Sequence, residues 1–292
     1  MNTDHLDLQT LDTLFYIVSF AVGAVVGSFL NVCVYRLPAG LSVVTPRSRC
    51  PKCESPIQWY DNIPMVSWLV LGAKCRNCKT PISWQYPLVE AITALLFLAV
   101  YWQFGLTLAT PIYMLLVASM VLVTFVDLTD WTIPNEVTFP GMPIGIVCAL
   151  IAMFYPESGL FVLGSLEPVF NSLIGLLVGG GVLYLLDKLT MAVLKKRGMG
   201  FGDVKLLAML GAFFGYPGVV LIIMLASFIG SIIGVAMLVI EKGKKRSLET
   251  EEGEQTGHYL PFGPYLALGG VIVCLFGQQI YDWYFDYLGV TQ

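Results

Sequence analysis

Gly198-Met199-Gly200-Phe201-Gly202-Asp203-Val204-Lys205 leads without a break into the apolar run 206–214. A carboxylate therefore stands on a glycine-rich turn at the foot of a hydrophobic stretch. Glycines at 198, 200 and 202 let backbone approach backbone, or a substrate, where a Cβ would clash. An ionisable group beside a membrane span is costly to hold and marks a functional site by default. Apolar residues continue to Ile240, interrupted only by the turn signal Gly215-Tyr216-Pro217-Gly218. Both flanks of 204–240 are basic, so they share one side of a membrane and the stretch crosses an even number of times. The first limb, 204–214, makes only about 17 Å of helix against a hydrocarbon core of about 30 Å. Either it is re-entrant, or the glycine turn lies below the surface in a water-accessible cavity, where irregular backbone is tolerated.

Working outward, the 292-residue chain is 57% hydrophobic and 12% charged, against roughly 25% charged in soluble domains. Apolar stretches of about 20 residues recur, which makes this an all-α polytopic membrane protein. About eight transmembrane helices are expected, near 14–34, 86–104, 111–126, 137–155, 168–186, 204–214, 219–240 and 262–280. A small hydrophilic domain, 36–85, is inserted between the first two. The division is 1–35, first span; 36–85, inserted domain; 86–292, membrane core. No internal repeat is evident.

All 16 basic residues fall in three segments. Arg36, Arg47, Arg49, Lys52, Lys74, Arg76 and Lys79 lie in the first. Lys188, Lys195, Lys196, Arg197 and Lys205 lie in the second, and Lys242, Lys244, Lys245 and Arg246 in the third. If these face the cytoplasm, the far side carries only acids, among them Asp4, Asp7, Asp12, Glu157, Glu167, Asp282 and Asp286. Both termini are then outside. The basic residues serve orientation, and no nucleic-acid partner is expected. The acidic N-terminus lacks the basic region of a signal peptide, so no cleaved leader is expected. The mixed-charge loop 241–257 reads as flexible.

Cys50-Pro51-Lys52-Cys53 and Cys75-Arg76-Asn77-Cys78 are two C-x-x-C pairs separated by 21 residues. Each pair can offer two thiolates from one tight knuckle, and four together close a tetrahedral zinc site. Disulfides are disfavoured in the cytoplasm, so the rival reading is a thiol redox site. Four sulfurs leave no open coordination position; such a zinc is structural. Cys33, Cys148 and Cys274 read as packing groups, and His5 and His258 are assigned nothing.

Asp127 ends another apolar run, so two acids mark the ends of apolar helices. Taken singly, Asp127 reads equally well as a cap or a snorkelling acid, and Asp203 as an N-cap. Taken together they suggest a dyad. Two carboxylates brought close share one proton, so one acts as base on water while the other protonates the carbonyl oxygen or leaving amine. That is aspartic peptide-bond hydrolysis. Asp130, Asp187 and Glu90 rank lower: Asp130 lies in a polar connection, Asp187 is distant in sequence from the glycine turn, and Glu90 has no special backbone beside it.

Gly200-Phe201-Gly202-Asp203 matches the G-x-G-D signature of intramembrane aspartic proteases. Further motifs occur in order along nearly the whole chain: Gly27-Ser28-Phe29-Leu30-Asn31-Val32 with Arg36-Leu37-Pro38, the paired C-x-x-C, Tyr86-Pro87-Leu88-Val89-Glu90, and Asp127 followed by Ile133-Pro134-Asn135. With these, the chain resembles the bacterial type IV prepilin peptidases. The resemblance implies a bifunctional enzyme of the inner membrane. It would remove the basic leader of type IV prepilins or type II secretion pseudopilins at the cytoplasmic face, then methylate the new N-terminus with S-adenosylmethionine. It carries the catalytic pair onto Asp127 and Asp203 and the zinc ligands onto Cys50, Cys53, Cys75 and Cys78. Gly200 and Gly202 are expected to form the active-site backbone. No glycine-rich nucleotide fingerprint is present, so no residue is assigned to the methyl donor, and oligomeric state is left open. The residues by themselves also admit a proton-coupled transporter with a zinc-bearing regulatory domain, or a scaffold docking secretion machinery through 36–85.

Overall fold

A computed structural model of the protein describes residues 3–194, 200–245 and 261–287. Gly198, the basic residues Lys195, Lys196, Arg197 and Arg246, and the mixed-charge loop beyond residue 245 lie outside the described residues. Among those described, regular structure is helical apart from two isolated β-bridges. The helices are α1 (Thr3–Arg36), the short α2 (Val66–Val70), α3 (Gln85–Phe104), α4 (Ala109–Asp130), α5 (Asn135–Phe154), α6 (Pro168–Leu194), α7 (Phe201–Lys245) and α8 (Gly263–Tyr287). Seven of them are long and apolar enough to cross a bilayer, as a multi-pass membrane protein requires.

The eighth span is folded into α7. Gly215 breaks that helix with φ 74° and ψ 178°, a conformation open in practice only to glycine. A Cβ built on Gly211 would lie 2.9 Å from Cγ2 of Val219. Residues eight apart in a continuous helix are separated by about 12 Å, beyond the reach of such a contact. The chain therefore doubles back at 215–218, as the turn residues predict. Leu163 closes the reversal, its N–H donating to the Phe214 carbonyl at 3.1 Å. The first limb starts at Phe201 rather than 204, which gives about 21 Å of helix.

Two compact units are recognised and are taken separately: Met1–Pro134 with Tyr155–Leu160, and Asn135–Phe154 with Phe161–Gln292. In the first, α1 and α3 pack antiparallel along small residues. A Cβ on Gly23 would come within 2.7 Å of the Ala94 Cα, and one on Gly27 within 2.7 Å of the Glu90 Cα. Lipid tails are as apolar as leucine, so helices in a bilayer gain by close packing and interhelical hydrogen bonds. Asn31 adds such a bond, donating from Nδ2 to the Tyr86 carbonyl at 3.1 Å. At the other end of the pair, the Tyr101 hydroxyl donates to Asp12 Oδ1 at 2.7 Å.

In the second unit α6 lies antiparallel to the first limb of α7. Ser172 Oγ donates to the Ala212 carbonyl at 2.6 Å, Gly175 meets Gly211, and Gly179 meets the Leu207 carbonyl. Of the triplet Gly179-Gly180-Gly181, the first two face α7 and Gly181 meets open space. On α5, Gly141 and Gly145 receive Met209 and Ala212.

Candidate functional site

The two C-x-x-C pairs come together: all four Sγ atoms lie within 4.8 Å of one another. Cys50 Sγ and Cys78 Sγ are 3.7 Å apart. A tetrahedral zinc with Zn–S of about 2.3 Å has S···S edges of about 3.8 Å, so the residues fit the metal. The two knuckles are built identically, 25 residues apart. The Glu54 N–H donates to Cys50 O and the Lys79 N–H to Cys75 O; Cys50 N–H pairs with Ser55 O and Cys75 N–H with Thr80 O. Bridges Arg49–Pro56 and Lys74–Pro81 repeat the register, and Glu54 and Lys79 both take positive φ. The segments 49–57 and 74–82, RCPKCESPI and KCRNCKTPI, are thus an internal repeat. Sequence inspection missed it because only four positions besides the conservative pairs are identical.

The thiols divide in their acidity. Hydrogen bonds from the Ser55 side chain and backbone draw Cys53 down to about 6. Backbone N–H groups of Cys78 and Asn77 lower Cys75. Cys78 goes the other way, to about 11: the Thr80 N–H pulls it down, but burial and its neighbouring sulfurs together outweigh that. Four sulfurs at this spacing cannot all ionise without a cation, and a divalent metal held by them would supply that charge. Removing zinc with a chelator, or changing Cys50 or Cys75 to Ser, is expected to unfold 48–82 before the membrane helices. Limited proteolysis alongside zinc analysis measures this; an intact insertion in metal-free reduced protein contradicts it.

The second knuckle also holds Arg76, whose Nε and Nη2 grip the Asp61 carboxylate at 2.9 and 2.6 Å. This bond holds Asp61 below the usual carboxylate range. A cleft with about 400 Å³ of empty space, partly open to solvent, runs beside the pair and is lined mainly by Tyr60, Ile63, Val66 and Val70. It does not fit an adenosyl sulfonium amino acid. Its two charged groups are committed to each other, Ser67 Oγ is engaged with the Tyr60 carbonyl and the Ile63 N–H, and Ile63, Val66, Val70 and Leu71 are apolar.

The motif Gly27-Ser28-Phe29-Leu30-Asn31 and the motif Tyr86-Pro87-Leu88-Val89-Glu90 turn out to be two sides of one contact. Gly27 admits the Glu90 backbone, and Ser28 hydrogen-bonds its side chain. Glu90 is buried, and its Oε2 accepts the Met65 N–H at 2.6 Å. Met65 centres a γ-turn, with φ 59° and ψ −46° and Val66 N–H bonded to Pro64 O at 2.6 Å; this form is rare and strained. Glu90 therefore does have special backbone beside it, on α1 and in the insertion rather than on its own helix. Glu90→Ala is expected to free the insertion from α3, seen as faster amide exchange at 63–70, while Glu90→Gln retains more protection.

Asp127 lies in the first unit, in the last turn of α4, and is 6% exposed. Its own carbonyl accepts the N–H of Trp131, the left-handed residue that ends the helix. A carboxylate cannot cap a helix C-terminus, whose free groups are acceptors, and the dipole there repels it. Burial excludes snorkelling into water. The neighbouring Asp130 is exposed and accepts from Thr129 Oγ1, which is ordinary surface behaviour.

Asp203 lies in the second unit, third in α7, and is 7% exposed. It is inside the first turn rather than at the N-cap, and its N–H bonds to Gly200 O at 3.2 Å. A Cβ on Gly200 would press to 3.3 Å from Asp203 Oδ2, so that glycine keeps room around the carboxylate. Gly202, the second helical residue, is partly buried. Lys205 donates from Nζ to Asn135 Oδ1 and sits over the rings of Phe139 and Phe201 at 5.4 and 5.5 Å. The Ile133-Pro134-Asn135 motif thus ends on a latch to the helix that carries Asp203. The antiparallel register of α6 also returns Asp187 to the level of Gly200, although it is distant in sequence from the turn. Its Oδ1 is buried and meets no hydrogen-bond donor among the described residues.

Two family descriptions match in succession: "Bacterial Peptidase A24 N-terminal domain" over residues 21–104 and "Type IV leader peptidase family" over residues 114–235. Proteins named prepilin leader peptidase/N-methyltransferase are similar along most of their length. That of Pseudomonas aeruginosa is 35% identical over 94% of this chain and 95% of its own. That of Myxococcus xanthus is 38% identical over 85% and 70%, and that of Stutzerimonas stutzeri 33% over 91% and 92%. No solved structure matches. Nearly full-length similarity, the paired cysteine knuckles and the two buried acids together lead to one assignment: the chain belongs to the type IV leader peptidase family.

Proposed function

We propose that this protein cleaves the basic leader from type IV prepilins or type II secretion pseudopilins and then N-methylates the new terminus. Its relatives carry both activities in their names. The observation that carries the peptidase reading is a pair of buried carboxylates at the ends of apolar helices, each in a setting that a capping or solvated acid would not choose. Asp127 and Asp203 act as a dyad sharing one proton. The ionised member takes a proton from water as that water attacks the scissile carbonyl. The protonated member donates to the carbonyl oxygen. As the gem-diol collapses, the member that took the water proton gives it to the leaving amine while the other takes one back from a gem-diol hydroxyl, so the dyad ends with one proton as it began. The cleavage segment lies extended against the backbone at Gly200 and Gly202, where a side chain would exclude it.

The basic segments face the cytoplasm of the bacterial inner membrane and the termini face outward, by the charge distribution. A leader held in the cytoplasm then meets the acids at the inner boundary. The insertion 36–85 is a zinc-stabilised domain serving the methyl transfer, with Cys50, Cys53, Cys75 and Cys78 holding a structural zinc; 86–292 is the peptidase core. S-adenosylmethionine supplies the methyl group. The test is mass spectrometry of a purified prepilin incubated with the reconstituted protein, with and without S-adenosylmethionine. Loss of the leader mass in both arms and a methyl increment only with the donor are expected. An unprocessed substrate, or ion flux that depends on Asp127 and Asp203, would favour a transporter.

A further inference from the structure

The insertion keeps more apolar surface exposed than a domain surrounded by water would. Trp59 is 80% exposed, Leu69 70% and Val70 76%, and Ile63 and Val66 are exposed as well. These residues are contiguous. Tyr60, Ile63, Val66 and Val70 line one cleft, Trp59 stacks edge-on against Tyr60, and Leu69 precedes Val70 on α2. Between Asp61 and Lys74 there is no charged residue at all. Exposed patches of this kind on a soluble surface mark a partner.

The height of the patch identifies that partner. Met65, the residue before α2, is bonded through its N–H to Glu90. Glu90 is six residues into α3, about 7.5 Å along the helix axis from its first residue. Val66 therefore begins α2 beside the shaft of α3, not beyond its end. α1 and α3 already offer exposed apolar side chains to lipid, among them Val22, Val25, Phe29 and Leu95. Where these helices meet the insertion, Tyr35 and Trp84 are exposed, as in the aromatic belt of a membrane interface. Arg47, Arg49, Lys52, Lys74 and Lys79 are exposed elsewhere on the insertion and suit anionic headgroups.

We propose that residues 59–70 are a membrane-surface element, seated in the headgroup–acyl boundary of the bilayer that α1 and α3 cross. The apolar face of α2 and Trp59 enter the boundary, and the zinc knuckles ride on the headgroup side. The insertion is thereby held against the surface at two points, the Glu90 bond and the apolar patch. This placement follows from unit 1 alone and is independent of the reaction proposed above.

The full chain, reconstituted in vesicles of phosphatidylcholine and phosphatidylglycerol, tests it. p-Benzoylphenylalanine is placed at Leu69, or at Lys52 in the first knuckle as a control, and adducts are identified by mass after irradiation. Lipid adducts at Leu69 several-fold above those at Lys52 are expected. Equal adducts at both positions, or cross-links from Leu69 to a second copy or to another part of the chain, overturn the proposal. A second measurement does not disturb α2: the fluorescence difference between the native chain and Trp59→Phe should be quenched by lipids brominated near the headgroup. Quenching of that difference by aqueous iodide but not by brominated lipid overturns the proposal as well.

Discussion

Asp203→Asn is expected to abolish leader cleavage while leaving the protein inserted and folded, the largest effect of any single change. Asparagine keeps the size and planarity of the side chain, so the packing around position 203 survives. What is lost is the ability to hold or release a proton. General acid–base participation is worth roughly 10² to 10⁴ in rate for each group, and in a dyad both roles fail together. A loss of about 10⁴ or more is expected. The dipole contribution of an acid in the first turn of a helix reaches up to about 2 kcal/mol when partly buried, so a thermal midpoint measured beside the cleavage assay separates lost chemistry from lost stability. Asp127→Asn should do the same, since it too keeps the shape of the side chain while removing a group that can hold or release a proton. The double variant should be no worse than either single one, because residues that act as a unit are not additive. Asp130→Asn, at an exposed site on the same helix end, is the control and should cleave normally. Either dyad variant processing prepilin at the native rate would leave the peptidase reading without a mechanism.

Gly211→Ala should cripple the fold of the second unit. In an exposed helix interior the change would be favourable by about 1 kcal/mol. Here its sign reverses. The new Cβ would stand 2.1 Å from the Gly175 carbonyl oxygen and 2.5 Å from its carbon. Those are backbone atoms of α6, which cannot rotate away as a side chain can. The reciprocal position is as tight, with a Cβ on Gly175 reaching 2.2 Å from Gly211 O. Relief requires α6 and the first limb of α7 to separate. That motion also loosens the Ser172 bond to Ala212 and the reversal at Gly215. Overpacking commonly costs about 1–3 kcal/mol and occasionally more; a crossing fixed by two backbones belongs at the upper end. Denaturation midpoints in detergent measure this, with Gly181→Ala, which meets open space, as the comparison in which the midpoint should hold or rise. A Gly211→Ala midpoint equal to or above that of the native chain would refute the packing account.

The positions of the spans were legible in the residues because the bilayer is a demanding solvent. Runs of about 20 apolar residues admit one structure, and Gly215 to Gly218 admits one place to turn. The tetrad Cys50, Cys53, Cys75 and Cys78 was legible for a similar reason, since ligand spacing reports directly on knuckle geometry. Contacts between helices were not. In lipid every face of a helix is apolar, so periodicity does not say which side meets a neighbour. Gly27 against Glu90, Glu90 against the strained Met65, Lys205 against Asn135 and the return of Asp187 to the level of Gly200 all depend on which helices pair and in what register. Composition and order along the chain thus determined the spans, the charge bias and the cysteine tetrad. The buried settings of the acids were decided only in three dimensions, because burial belongs to the surrounding helices and not to the residue itself.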